Sequence, residues 1–326
     1  MKYTIPVNSA VIIVYLVLAI VPFPTFAQPV EKVRIAYGAR AIPFLPTFLA
    51  KEMGFYERQG LQAEAIQIAP RVVVSALTAN EVDYTLTMGS TIRAAAQGLP
   101  VRGVSFSMRA PLFALVSRLG SPGEIKGKTI GVTFIGGLNH QSGKLMVSHL
   151  GLNPDKDVTF VAIGDEKLLL QSLLSGRIGA ATMSPPWIFE AEKNGLKILL
   201  KASDVASLPF GGLGTTVDKI RKQRDQVKRA IKAELEALRF IRERKEETTQ
   251  FITRFYGMSA EVARITYSFS ASFFSPDARV IPEAVERYME IESETSGGKS
   301  KTPLSRVVDL SLVEEVQKEI SAASGR

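Results

Sequence analysis

A few short segments hold residues whose types suit ligand chemistry. Gly89-Ser90-Thr91 sets a glycine beside two hydroxyls. A glycine lets backbone approach a ligand, a hydroxyl donates a hydrogen bond, and the N–H groups of a helix start favour an anion. The same residues also read as a plain helix N-cap. Phe134-Ile135-Gly136-Gly137 offers an aromatic face next to two glycines, or a flexible turn. Arg40, followed by Phe44, carries a guanidinium able to clamp a carboxylate, sulfonate or phosphonate through two hydrogen bonds. A solvated surface arginine is the alternative. Trp187 follows Pro185-Pro186, where it either stacks on a ligand or packs the protein surface.

Other chemistries are excluded by what the chain lacks. There is no Cys, so there is no disulfide framework, thiolate metal site or Cys nucleophile. His140 and His149 are too few for a three-His metal site, and neither a metal nor a cofactor is expected. No G-x-G-x-x-G, Walker-type or G-x-S-x-G segment occurs. Asp165 precedes Glu166 and an apolar helix, and reads as an N-cap.

The elements that must position these residues follow from periodicity. Strands are predicted at 33–38, 61–68, 82–88 and 101–106, with helices at 43–56, 71–79 and 91–97 between them. After Gly120-Ser121-Pro122-Gly123 a second alternating set begins. It has strands at 128–133, 158–163, 178–183 and 197–200, and helices at 142–150, 166–174 and 186–193. Such alternation implies parallel sheets covered on both faces, with strand-to-helix loops facing a ligand cleft. From Val217 onward the chain reads as helical, with Ile220, Val227, Ile231, Leu235, Leu238 and Ile241 on one stripe. The expected organisation is one lobe from 28–118 and 213–326, and a second from 119–212.

The chain has 326 residues, 46% of them hydrophobic and 22% charged, which excludes wholesale disorder and suits about two domains. Lys+Arg total 40 against 32 Asp+Glu, a formal charge of +8. Basic residues outnumber acidic ones between Asp218 and Glu246, but a single aromatic residue, Phe240, falls among them, too few for a run of stacked bases. That stretch therefore reads as a solvated mixed-charge face, and nucleic acid is not an expected partner. Residues 1–27 read as a secretory signal. Lys2 precedes an uncharged apolar run at 10–21, Pro22 and Pro24 break it, and Thr25-Phe26-Ala27 ends it. The run would rise about 18 Å as a helix, short of the roughly 30 Å of a hydrocarbon core. Cleavage after Ala27 leaves no Cys for a lipid anchor, so a monomer free in the periplasm is expected.

Phe48-Leu49-Ala50-Lys51-Glu52-Met53-Gly54-Phe55-Tyr56 and Gly60-Leu61 resemble a segment of the nitrate/sulfonate/taurine-type periplasmic solute-binding proteins of ABC transporters, which also include thiamine-pyrimidine-like members. Ala76-Leu77-Thr78-Ala79-Asn80-Glu81-Val82-Asp83-Tyr84 resembles a second, and Ile125-Lys126-Gly127-Lys128-Thr129-Ile130-Gly131-Val132 a third. Leu173-Leu174-Ser175-Gly176-Arg177-Ile178-Gly179-Ala180-Ala181, with Pro185-Pro186-Trp187 after it, resembles a fourth. The usual Gly and Asp of these segments are Asn80 and Gly179 here.

The resemblance implies a type 2 periplasmic-binding-protein fold of two α/β lobes, a cleft between them and a helical tail. It implies hinge closure on a small solute, anionic or aromatic, and delivery to an inner-membrane ABC permease. A sensory binding protein is an alternative. So is an enzyme like the eukaryotic pyrimidine synthase of thiamine biosynthesis, which uses pyridoxal phosphate, iron, Cys and His. The absence of Cys weighs against that enzyme.

Overall fold

The structure, a computed structural model, describes residues 1, 30–206, 208–296 and 302–324. Apart from Met1, the export signal expected at 1–27 lies outside these residues.

The first half of the chain runs β1 (Glu31–Tyr37), α1 (Leu45–Glu52), α2 (Phe55–Arg58), β2 (Leu61–Gln67), α3 (Val73–Thr78), β3 (Tyr84–Thr85), α4 (Met88–Ala96) and β4 (Val101–Met108). It continues through β5 (Ala114–Ser117), β6 (Thr129–Val132), α5 (Leu138–His149), β7 (Thr159–Ala162), α6 (Glu166–Leu174), β8 (Ala180–Met183), α7 (Trp187–Lys193) and β9 (Lys197–Lys201). The remainder is β10 (Phe210–Thr216), α8 (Val217–Lys222), α9 (Arg224–Glu243), α10 (Lys245–Tyr256), α11 (Ala260–Ser270), α12 (Pro282–Ser296) and α13 (Ser311–Ser324). Among the described residues no helix is long and apolar enough to cross a membrane.

Two five-stranded sheets form, ordered β2-β1-β3-β10-β4 and β7-β6-β8-β5-β9. Within each, β1 or β6 sits between two parallel neighbours. The alternation of β1 buries Val33 and Ile35 opposite Ala63 and Ala65 of β2. Neither sheet is wholly parallel, as the alternation alone implied. β10 is antiparallel to β3 and β4, and β5 is antiparallel to β8 and β9. Both of these strands come directly after the chain passes from one sheet to the other. Ala114–Ser117 thus already pairs within the second sheet, ahead of the glycine-rich segment at 120–123. Phe210–Thr216 is a strand of the first sheet, and it begins inside Leu208-Pro209-Phe210-Gly211-Gly212, whose composition reads as a loop marking a second boundary.

Glycine explains why β10 was hard to read. Gly212 has φ +129, and a Cβ there would lie 2.0 Å from the Ser105 carbonyl oxygen. At Gly211, φ +68, it would lie 2.6 Å from the Pro43 carbonyl oxygen. The strand needs glycine to lie this close to its neighbours, at the expense of the β-branched pattern that announces a strand. Asn80, standing where relatives of the resembling family carry glycine, takes a left-handed φ of 57, a conformation asparagine tolerates.

The helical tail packs mainly on the first sheet through α9, while α11 meets α7 of the second, with the Phe269 and Phe189 ring centroids 5.4 Å apart. α9 buries Val227, Ile231, Leu235, Leu238 and Ile241 as one stripe and packs on α1, α2, α13 and β4. Glu234 lies on that buried stripe and accepts a 2.5 Å bond from the Tyr56 hydroxyl. Burial pushes its carboxyl up to about 7, against the pull of bonds from Thr47 and Tyr56. The basic face of α9 is largely paired: Arg224 and Lys228 meet Glu315 and Glu319 of α13, and Arg229 meets Glu31 and Asp225.

Gly212→Ala is expected to cost at least about 2 kcal/mol, because backbone must move and φ must change. Gly123→Ala, where a Cβ meets nothing within 4 Å, should stay within about 0.5 kcal/mol of the parent. Urea midpoints of the two variants check this; equal midpoints would contradict the close approach of β10 to β4.

A candidate ligand-binding cleft between the sheets

A cleft of about 500 Å³, counting the space at its mouth, opens between the two sheets. Its walls come from chain segments just beyond strand ends, where a parallel sheet places ligand-binding loops. From the first sheet come Gly38 and Ala39 after β1, Phe44 ahead of α1, and Thr87 through Ser90 at the start of α4. Thr133, Phe134, Gly137, Leu138 and Asn139 after β6 face them. Phe113 and Phe210, from the two crossings between sheets, close the back with ring centroids 4.9 Å apart. Phe44 lies 5.9 Å from Phe210, so these rings form one aromatic wall. Aromatic sides of this kind suit a small, planar ligand.

The polar groups are mostly committed to holding the walls. Ser90 Oγ donates to the Pro70 carbonyl at 3.1 Å, and Thr91 Oγ1 donates to the Thr87 carbonyl at 3.2 Å. Asn139 accepts from the Thr133 N–H at 3.1 Å and donates to the Thr182 carbonyl at 2.8 Å. It thereby ties the β6 loop to β8. His140 Nδ1 accepts the Gly136 N–H at 3.2 Å. Burial, and then Lys144, hold the imidazole near 4, so the ring is neutral and able to accept.

One ionisable side chain reaches the cleft: Glu166, 2% exposed, in the first turn of α6. Its carboxyl accepts the Ser184 N–H at 2.8 Å and the Ser184 hydroxyl at 2.8 Å. Burial nevertheless outweighs these bonds and pushes the carboxyl up to about 8. The group is therefore protonated near neutrality unless something positive, or a strong donor, meets it. Neighbouring Asp165 is the N-cap of α6, accepting from the N–H of Lys167 and Leu168 at 2.8 and 3.3 Å.

Of the residues singled out from sequence, Phe44, Gly89, Ser90, Phe134 and Gly137 line the cleft. Arg40, Thr91, Gly136 and Trp187 do not. Arg40 is exposed, with its guanidinium 5.2 Å from the centre of the Phe255 ring. Thr91 is turned back into its own helix. The Gly136 carbonyl accepts a bond from Arg93 instead. Trp187 begins α7 and packs on the second sheet's core. Gly89 also differs from the expectation of backbone approach to a ligand. A Cβ there would lie 2.8 Å from the Tyr288 hydroxyl, so its small size admits α12. Because α4 begins at Met88, three residues earlier than predicted, Gly89 and Ser90 sit in a first turn and not in a loop.

Glu166 went unread as a cleft residue. An available signal was the rule applied to the other loops, since Glu166 also follows a strand end.

The pH dependence follows from the signs. Glu166 and Glu234 both have folded values above the ordinary carboxylate range. The stability linked to them is full below that range and is lost as pH rises through about 7 and 8. Between those two values mainly Glu166 contributes. Glu166→Gln should therefore flatten the fall in urea midpoint most in that interval. An unaltered slope there would show that Glu166 is already ionised.

Residues 42–248 match a family model described as NMT1/THI5 like. Among curated proteins, the 4-amino-5-hydroxymethyl-2-methylpyrimidine phosphate synthase of Schizosaccharomyces pombe is 28% identical over 162 residues, 47% of this chain and 46% of that one. The chain thus spans about half the length of the curated relatives it matches. Among solved structures, a Bordetella bronchiseptica RB50 protein superposes with TM-score 0.78 at 18% identity, covering 89% of this chain and 98% of that one. The periplasmic nitrate-binding protein NrtA of Synechocystis PCC 6803 gives 0.74 at 13% identity, with 89% of each chain covered. The two-sheet architecture is the periplasmic-binding-protein fold.

Proposed function

Because the chain belongs to the NMT1/THI5-like family, we propose that it is the substrate-binding component of an ABC importer, working in the periplasm and closing on a small solute. The observation that carries this reading is Glu166: a buried carboxyl at a cleft walled by Phe44, Phe113, Phe134 and Phe210, whose lining, among the described residues, includes no basic side chain. Such a site penalises anions and rewards a planar ligand that offers N–H donors or a positive charge. Of the two solute types suggested by sequence, this supports the aromatic one. Arg40 would be available to an anion only after leaving Phe255. The first lobe would hold the sheet containing β1 and the helical tail, the second the sheet containing β6. The hinge would run through 109–113 and the segment that follows β9, and an inner-membrane permease would receive the solute.

The name of the fission-yeast relative raises a second reading, an enzyme making a pyrimidine. Pyridoxal phosphate would need an amine to hold its aldehyde, and the cleft lining includes no lysine. The chain has no Cys, and His140 is engaged with Gly136. These residues do not fit that cofactor, which supports a binding role over catalysis.

Titration calorimetry with aminopyrimidines, aromatic carboxylates, alkanesulfonates and nitrate tests the proposal. Aminopyrimidines are expected to bind, and Glu166→Gln to weaken them at least roughly tenfold, the scale of a lost charge-assisted bond. Tight binding of nitrate or sulfonate with no response to Glu166→Gln would overturn the proposed ligand class.

A further inference from the structure

We infer that Arg93 is the latch of the closed cleft, a positioning residue that holds the two lobes together without touching the solute. This inference rests on the hinge-closing reading above. Arg93 lies on α4, on the first-sheet side, and does not line the cleft. Its Nη1 donates across the mouth to the Gly136 carbonyl at 2.9 Å and lies 3.3 Å from Glu292 Oε2 of α12. Glu292 Oε1 in turn accepts the hydroxyl of the fully buried Tyr288 at 2.9 Å.

Both halves of the contact are held ready. The guanidinium is fixed from behind by a carboxylate whose side chain is only 12% exposed. That removes much of the side-chain entropy a free arginine would lose on closing. On the other lobe, Gly136 is in a left-handed conformation of φ +79, and His140 holds its N–H. Its carbonyl is thus presented by a turn braced from within its own lobe. Pro70 and Gly137 meet beside this contact, so the lobes touch where Arg93 spans them. A bond from a charged donor in a half-buried place is strong enough to shift an open–closed equilibrium by roughly tenfold.

The chain has no Cys, which allows a direct measurement. A Cβ built at Gly137 lies 3.8 Å from Pro70 Cβ, within disulfide range. In a Pro70→Cys, Gly137→Cys protein, oxidised glutathione first forms a mixed disulfide with one thiolate, releasing one glutathione; the rate of cross-linking from that species, in which the second thiol displaces the other glutathione, scales with the closed fraction even when that fraction is small. Adding Arg93→Gln together with Glu292→Gln removes both charges, so no buried carboxylate is left alone, and thermal melting verifies that the protein is folded. The cross-linking rate is expected to fall roughly tenfold. An equal rate in both backgrounds overturns the latch. X-ray scattering of the reduced and cross-linked parent then judges the hinge separately. A smaller radius of gyration after cross-linking leaves hinge closure standing, and an identical radius sinks hinge and latch together.

Discussion

The structure depends most on how the chain crosses between its two sheets. Each crossing delivers a strand that runs against its neighbours, β5 into the second sheet and β10 into the first. The two crossings lie side by side: the Ala202 N–H donates to the Phe113 carbonyl at 2.8 Å, and the Phe113 ring packs at a tilt against Phe210. An antiparallel strand is anchored by ladder bonds on both sides, so each connection is pinned at its ends and free only between them. The aromatic pair then serves twice, as the packing between the connections and as the back wall of the cleft. The same two crossings therefore both join the sheets and line the cleft.

Charge inside the cleft is governed by burial. Burial takes Glu166 out of water, and Ser184 returns only part of the lost solvation. Glu234 shows the same balance in a different setting, paired with Tyr56 and remote from the cleft. The two carboxyls are alike in burial and differ in what they face. One is sealed against α1 and α2, while the other borders open space. That difference separates a structural buried acid from one poised for recognition.

Periodic segments were legible in the sequence. The alternation of β1, the buried stripe of α9 and the Asp165 cap follow from local pattern, and the structure bears them out. What was not legible depends on distant chain. β10 is built from glycines chosen for close packing against Ser105 and Pro43, so its sequence mimics a loop. β5 is short and lies before the glycine-rich break that looked like the boundary. The start of α4 at Met88 extends a helix through Gly89 because Tyr288, some two hundred residues later, occupies the space a side chain would fill. Cleft residues were found where a glycine or aromatic cluster drew attention, and missed where a lone acid stood in a helix turn that looked ordinary.

The contact between Gly89 and Tyr288 carries an evolutionary consequence. The tail helix α12 rests against the back of the very turn whose front borders the cleft. Position 89 is therefore answerable to the tail: any larger residue there must displace a buried ring, whatever the solute. Relatives that change their ligand but keep this tail should retain a small residue at this point, and those that lose the tail should be free to vary it. Invariance of a glycine at a cleft wall would then record the ancestry of the C-terminal helix and not a shared ligand.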